Sequence, residues 1–294
     1  MAERARPGDV PVVTAGNGGS WRQQLWLQPP FAGLWAGQDA FAAVDALDGE
    51  VFRQRDGRRT FRCEIGGRGY FVKIHHGIGW GEIVKNLLVG RAPILGAGNE
   101  WQAIHRLTAI GIDTMRAVAF GQRGWNPARR HSFLITEELA PTISLEDFCR
   151  EWGHQPPPAA LKHALIRRVA DMAGRMHRAG VNHRDFYLCH FLLHLEPQPT
   201  AQNLKLSLID LHRAQSRTQV PRRWRDKDLA GLYFSALGIG LTQRDFLRFL
   251  RVYFARPLRA ILREEAPLLR HLAQEGRRLQ AKYARKNREF GEDW

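Results

Sequence analysis

Apolar and polar positions along residues 50–75 fall into short patches. Val51-Phe52, then Phe61, Cys63 and Ile65, then Tyr70-Phe71-Val72 are separated by Asp56-Gly57 and Gly66-Gly67. Short apolar patches between turn dipeptides predict a three-stranded meander. Residues 76–98 are rich in glycine, with a short helix expected around Glu82–Val89. From Glu100 the period lengthens. Trp101, Ile104, Leu107 and Thr108 share one helical face, and Gly111 is placed to end that helix. Ser132–Thr136 (SFLIT) reads as a buried strand, and Ser144-Leu-Glu-Asp147 reads as a capping box opening a short helix. After Pro156-Pro157-Pro158 comes a long helix with Leu161, Leu165, Val169, Met172 and Met176 on one face and Gly180 at its end. Two short strands are expected, Phe191–Leu195 and Leu204–Asp210. Beyond Leu211 the chain reads as mostly helical. One helix starts at Thr242, and Leu258–Lys286 forms one or two basic helices.

The order of elements predicts an α+β, bilobal fold. A small β-rich lobe with one main helix spans 30–138, and a larger, mainly helical lobe spans 139–294. Residues 1–29, polar and rich in Gly and Pro, are expected to be a disordered tail. The first 24 lack the apolar stretch of a secretory signal.

Composition narrows the picture. Of 294 residues, 44% are apolar and 10% aromatic, enough for a substantial core, which excludes a wholly disordered chain. No apolar run approaches the roughly 20 residues that span a bilayer, so any membrane contact must be peripheral. Cys63, Cys149 and Cys189 are too few and scattered for a disulfide scaffold, which suits a reduced cytosolic compartment. The net charge of +15 calls for anionic partners: phosphates, nucleic acid, an acidic membrane surface or an acidic protein.

The stretch richest in chemistry is Val181–His194, with His183-Arg184-Asp185 between a helix and a strand. Some 25 residues later, Leu206-Ser-Leu-Ile ends in Asp210. Upstream stand Lys73 in Phe-Val-Lys and Glu100 on the next helix. The set resembles that of protein kinases: a catalytic loop, a metal-binding acid, a strand lysine and its carboxylate partner. Phosphoryl transfer needs these types. A lysine clamps the phosphates, and a helix carboxylate holds it in place. Magnesium takes hard oxygen ligands, which Asp210 offers. A second carboxylate, Asp185, orients the acceptor hydroxyl and takes its proton. Glu137 and Leu139, just past SFLIT, are expected to contact the nucleotide. Each residue alone has an ordinary reading: a solvated lysine, a helix-dipole partner for Glu100, a capping role for Asp210, a surface cluster at 183–185. Order and element type together favour the kinase reading.

Two departures stand out. The first turn reads Gln54-Arg-Asp-Gly-Arg-Arg59 instead of a glycine-rich loop. Its arginines either contact phosphate or solvate the turn. The position five residues after Asp185 is His190, where protein kinases place a metal-binding Asn. Imidazole is a poor magnesium ligand, so a metal role for His190 is doubtful on chemical grounds.

These and other stretches resemble the lipopolysaccharide core heptose(I) kinase family from about Phe31 to Phe254. They include Pro30-Phe-Ala-Gly-Leu-Trp35, Glu100-Trp-Gln-Ala-Ile-His-Arg-Leu107, His190-Phe-Leu-Leu-His194, Ile209-Asp-Leu-His-Arg-Ala214 and Val220–Leu229. His190 is a family trait. The resemblance implies ATP- and Mg2+-dependent transfer to the 4-hydroxyl of the first heptose of the lipopolysaccharide inner core, at the cytoplasmic face of the inner membrane. The expected partners are the lipid A-linked core, an anionic membrane surface and an acidic protein such as a carrier protein. Residues 211–256, with ten Lys or Arg against three Asp or Glu, would steer an anionic acceptor. The alternatives are a kinase-like enzyme for another small-molecule or protein acceptor and, more distantly, a basic nucleic-acid-binding protein. No basic stripe interleaved with aromatics supports the latter, so no nucleic-acid partner is expected. A zinc hydrolase built on His183, His190 and His194 lacks a helical ligand motif.

Overall fold

The computed structural model describes residues 23–55, 57–88 and 95–290. The chain forms two compact units. The first holds the described residues up to His105 together with Met115–Leu139. The second holds Arg106–Thr114 and the chain from Ala140 onward.

The first unit is built on a six-stranded antiparallel sheet. Its elements are β1 (Gln23–Leu27), α1 (Phe31–Leu34), α2 (Ala40–Asp45), β2 (Glu50–Arg55), β3 (Arg58–Ile65), β4 (Arg68–His75), α3 (Gly79–Leu88), α4 (Gly98–Ala109, whose last turn belongs to the second unit), β5 (Ala117–Arg123) and β6 (His131–Glu137). The strand order is β1-β5-β6-β4-β3-β2. The expected meander is β2–β4. Period-two alternation puts Tyr70, Val72 and Ile74 of β4 into a core with Phe31, Phe41, Phe61, Phe133 and Ile135. Burying each Phe fully contributes about 1.5–3 kcal/mol. Lys73 lies on the other face of the same strand.

Two expectations need correction. The tail expected over 1–29 does not hold for its described end, because Gln23–Leu27 forms β1 and pairs along β5 from Gln23↔Arg123 to Leu27↔Ala119. Residues 1–22 lie outside the described residues, as do Asp56 of the first expected turn and Val89 of the expected short helix. The division into units also differs from a single cut after residue 138, because Arg106–Thr114 joins the second unit. That segment is tied there by one backbone and one side-chain bond to Leu208. Leu208 N donates to Asp113 O at 2.9 Å, and Thr114 Oγ1 donates to Leu208 O at 2.6 Å.

The second unit contains β7 (Thr142–Ser144), α5 (Leu145–Cys149), α6 (Ala159–Arg178), β8 (Val181–Asn182), β9 (Phe191–His194), β10 (Leu206–Leu208), β11 (Gln215–Ser216), α7 (Arg222–Ser235), α8 (Gln243–Phe254), α9 (Leu258–Glu264) and α10 (Ala266–Phe290). Ser144 Oγ accepts from Asp147 N at 3.0 Å and starts α5. Thr242 and Asp245 form a full capping box on α8. Gly180 ends α6 at φ 80°, and a Cβ there would meet Arg217 O at 1.9 Å, so only glycine allows β11 to pair against β8. All three cysteines are free thiols. Among the described residues no helix is long and apolar enough to cross a membrane.

Candidate active site

In the first unit, Lys73 and Glu100 meet. Strand alternation turns Lys73 away from the core, and Glu100 sits in the first turn of α4. Lys73 Nζ donates to Glu100 Oε1 at 2.6 Å, and Glu100 is only 1% exposed. A buried carboxylate needs such a partner, so the lysine is held at a fixed height above the sheet. Glu137, at the end of β6, pairs with Arg116 at 3.1 Å, and Leu139 is the last residue of the unit. Arg59, in β3, donates to Asp48 Oδ1 at 2.5 Å and to Leu47 O at 3.2 Å, with its guanidinium 4.3 Å from the Phe61 ring. Arg59 therefore ties β3 to the segment before β2.

In the second unit, Asp185, His190 and Asp210 come together through backbone register. Phe191 pairs with Leu208 in the β9–β10 ladder, and Ile209 N donates to His190 O at 2.9 Å, which sets His190 beside the residue after Ile209. His190 Nδ1 lies 2.6 Å from Asp185 O, a carbonyl that can only accept, so Nδ1 carries the proton. His190 Nε2 then stands 3.5 Å from Asp210 Oδ2. Asp210 Oδ1 accepts from His212 Nδ1 at 2.6 Å. Asp210 adopts a left-handed conformation (φ 60°, ψ 50°), uncommon for a non-glycine residue. The strand before it stops at Leu208, so Asp210 lies in a strained turn, where the sequence placed it at a strand end.

Arg213 Nη1 donates to both carboxylate oxygens of Asp185, at 2.7 and 3.1 Å. Arg184 is also left-handed, at φ 76°. Its strain is held by Asp228, fully buried on α7, whose carboxylate accepts from His183 N at 2.6 Å and Arg184 N at 2.7 Å and faces His177 Nε2 at 3.3 Å. Asp228 lies in the Val220–Leu229 stretch, but its role was not legible there. The available signal was a lone acid on the inward side of a helix. His183 Nε2 donates to Ile209 O at 2.9 Å, and burial lowers the ring's pKa, so this ring stays neutral.

A group of cations surrounds Asp185. Arg184, Arg223 and Lys227 flank the Trp224 ring at 5.2, 4.8 and 5.7 Å from its centroid. Burial and then Arg213 lower the pKa values of Arg184 and Lys227, and Arg184 Nε is buried without a hydrogen-bond partner. His194, by contrast, bonds Ser207 Oγ at 2.8 Å, and among the described residues His183, His190 and His194 form no metal-binding group.

A small antiparallel sheet unit with a buried Lys–Glu pair, and a mainly helical unit whose loops bring together two aspartates, define a protein-kinase-like phosphotransferase. Residues 42–253 match the Lipopolysaccharide kinase (Kdo/WaaP) family, and the chain belongs to it. It is 61% identical over 265 residues to the lipopolysaccharide core heptose(I) kinase WaaP of Pseudomonas aeruginosa, covering 90% of this chain and 98% of that relative. It is 56% identical over 261 residues to the enzyme of the same description from Escherichia coli, covering 89% and 98%. A solved structure, WaaP in complex with acyl carrier protein, superposes with a TM-score of 0.79 at 57% identity, covering 87% of this chain and 99% of that one. Membership of a kinase family implies ATP as phosphoryl donor.

Proposed function

We propose that the chain transfers the γ-phosphoryl group of ATP to the 4-hydroxyl of the first heptose of the lipopolysaccharide inner core, at the cytoplasmic face of the inner membrane. The observation that carries this reading is Asp185, fixed by Arg213 and by the Asp228-anchored loop, with Asp210 brought alongside through His190. Asp185 accepts the proton from the attacking hydroxyl. Lys73, steadied by Glu100, clamps the nucleotide phosphates, and Glu137 and Leu139 contact the nucleotide. The Asp210 carboxylate, a third exposed, would offer one magnesium ion a hard oxygen, with water and phosphate oxygens as its other ligands. His190 fits poorly, because its nitrogen is the wrong donor for a hard ion. Bound there, the ion would neutralise charge on the transferring phosphoryl. Burial and then Arg213 lower the pKa of Arg184, and burial and then Arg213 and Arg184 lower that of Lys227; an anion would relieve both, which suits an acceptor attached to phosphorylated lipid A. The test is ATP turnover with purified core lipopolysaccharide, with and without phosphate already on the first heptose. The reading requires turnover only with the unphosphorylated acceptor.

A partner follows from the solved relative bound to acyl carrier protein. The second unit contains a half-open apolar cavity of about 250 Å³, lined by Leu145, Leu165, Val169, Phe246, Leu250 and Leu269 among others. A basic chain of net charge +15 suits an acidic carrier, and the cavity suits its acyl group. Acylated carrier protein should bind more tightly than the same protein without its acyl chain. Equal affinities would remove the cavity from this reading.

A further inference from the structure

Outside the residues given to phosphoryl transfer, three ligand-type side chains converge in the first unit: Asp45, His76 and His131. They come from three elements. Asp45 is the last residue of α2, His76 follows β4, and His131 opens β6. The β4–β6 ladder pairs His75 with Ser132, so the next step of the same register sets His76 opposite His131. Helix α2 buries Ala40, Phe41 and Val44, with the Phe41 ring 5.1 Å from that of His131, which sets Asp45 beside the two histidines.

We propose that Asp45, His76 and His131 bind a divalent transition-metal ion of the zinc class. One ligand atom from each residue lies within 4.8 Å of the others. Asp45 Oδ1 is 3.3 Å from His131 Nε2 and 3.4 Å from His76 Nε2. Ligands about 2.0–2.1 Å from a tetrahedral zinc ion are separated by about 3.3–3.4 Å, so both measured edges match. A plain ion pair would align an imidazole N–H on the carboxylate. Instead His131 Nε2 is buried without a well-aligned hydrogen-bond partner. A single carboxylate oxygen faces both ring nitrogens, and the two rings lie 4.3 Å apart at 35°. A shared cation satisfies all three atoms at once.

Two imidazoles and one carboxylate suit zinc, nickel or cobalt better than magnesium or calcium, which prefer oxygen throughout. Arg123, whose charge opposes a cation here, is engaged elsewhere: it bonds Asp39 Oδ2 at 2.8 Å and covers the Phe41 ring. His76 is 52% and Asp45 39% exposed, so the fourth position opens to water and the ion can exchange. Once bound, the ion clips α2 to the sheet and stabilises the folded chain by mass action.

The test uses the full-length, untagged chain, stripped with a chelator and titrated with Co2+ as a visible probe, which Zn2+ then displaces. The wild type should take up one equivalent with the absorption of a tetrahedral site. His76→Gln, at a half-exposed position that leaves folding intact, should weaken binding by at least about 100-fold, beyond the 10- to 100-fold loss that removing an outer partner brings. Asp45→Asn and His131→Gln should do the same. If His131→Gln fails to fold, the other two variants decide. His154→Gln, an exposed histidine elsewhere, should bind as the wild type does. Substoichiometric uptake by the wild type, or equal binding by His76→Gln and His154→Gln, would overturn the assignment.

Discussion

The two halves of the phosphoryl-transfer apparatus are built by different means. In the first unit, regular structure does the positioning: strand alternation turns Lys73 outward, a helix turn supplies Glu100, and one bond of 2.6 Å joins them. In the second, irregular backbone does it. Asp185 follows a left-handed Arg184, and Asp210 is itself left-handed. Both depend on other side chains: Asp228, Arg213 and His190 from more distant sequence, and His212 from two residues beyond Asp210. A ladder tolerates change at its edges because every rung shares the load. A loop held by one buried acid does not.

That contrast orders the expected effects of substitution. Asp185→Ala should remove about 10²–10⁴ of kcat while ATP binding and the fold persist, as read by turnover beside nucleotide-binding assays. Near wild-type turnover in folded Asp185→Ala would break the assignment of the base. Lys73→Met should lower kcat/KM for ATP by about 10²–10³, the scale for losing one preorganised charge on the reacting group. An unchanged nucleotide KM and kcat would mean that the first unit's pair is only structural. Asp228→Asn leaves the His183 and Arg184 amides poorly satisfied, and should lower stability by about 3 kcal/mol in denaturant titrations. In protein that remains folded it should lower kcat more than KM for ATP, which separates loop geometry from nucleotide binding.

The smallest effect concerns stability alone. Burial raises the Asp245 pKa, but the Thr242 amide and hydroxyl and Lys162 outweigh it and leave the carboxyl at about 2, below its ordinary 3.8. A depressed carboxylate contributes stability that is fully present above the unfolded value and is lost as pH falls toward the folded one. Asp245→Asn should therefore cost about 2 kcal/mol at neutral pH, with the difference from wild type closing between about pH 4 and pH 2. Thermal melts across that range check it. A pH-independent difference would show that the cap acts without its charge.

The sequence made regular elements legible where local pattern decides them. The β2–β4 meander, the α6 face and the Thr242 cap follow from turn residues, spacing and capping chemistry that act within a few positions. Strand β1 was hidden because Gln23–Leu27 adjoins a Gly- and Pro-rich stretch and becomes a strand only through pairing with β5. Strand β5, AVAFGQR, has its first five residues buried and so shows no alternation. The membership of Arg106–Thr114 in the second unit rests on hydrogen bonds to the Leu208 backbone, which leave no mark on composition. The types and order of Lys73, Glu100, Asp185 and Asp210 could be picked out in the sequence because the proposed chemistry asks for them, and the structure pairs Lys73 with Glu100. Arg213 and Asp228 were not readable as their supports, because only tertiary contact joins them to Asp185 and Arg184. The same limit hid the approach of His190 to Asp210.

That last contact bears most directly on the metal site proposed for the second unit. His190 donates Nδ1–H to the Asp185 carbonyl and turns Nε2 toward Asp210. An asparagine there has an N–H to keep the first contact and an oxygen to offer the ion. The deciding measurement is turnover against magnesium concentration for wild type, Asp210→Ala and His190→Asn. Asp210→Ala should be inactive at every magnesium concentration, while His190→Asn should stay active and reach half-maximal turnover at equal or lower magnesium. Normal turnover by Asp210→Ala together with a dead His190→Asn would contradict the assignment of the metal to Asp210.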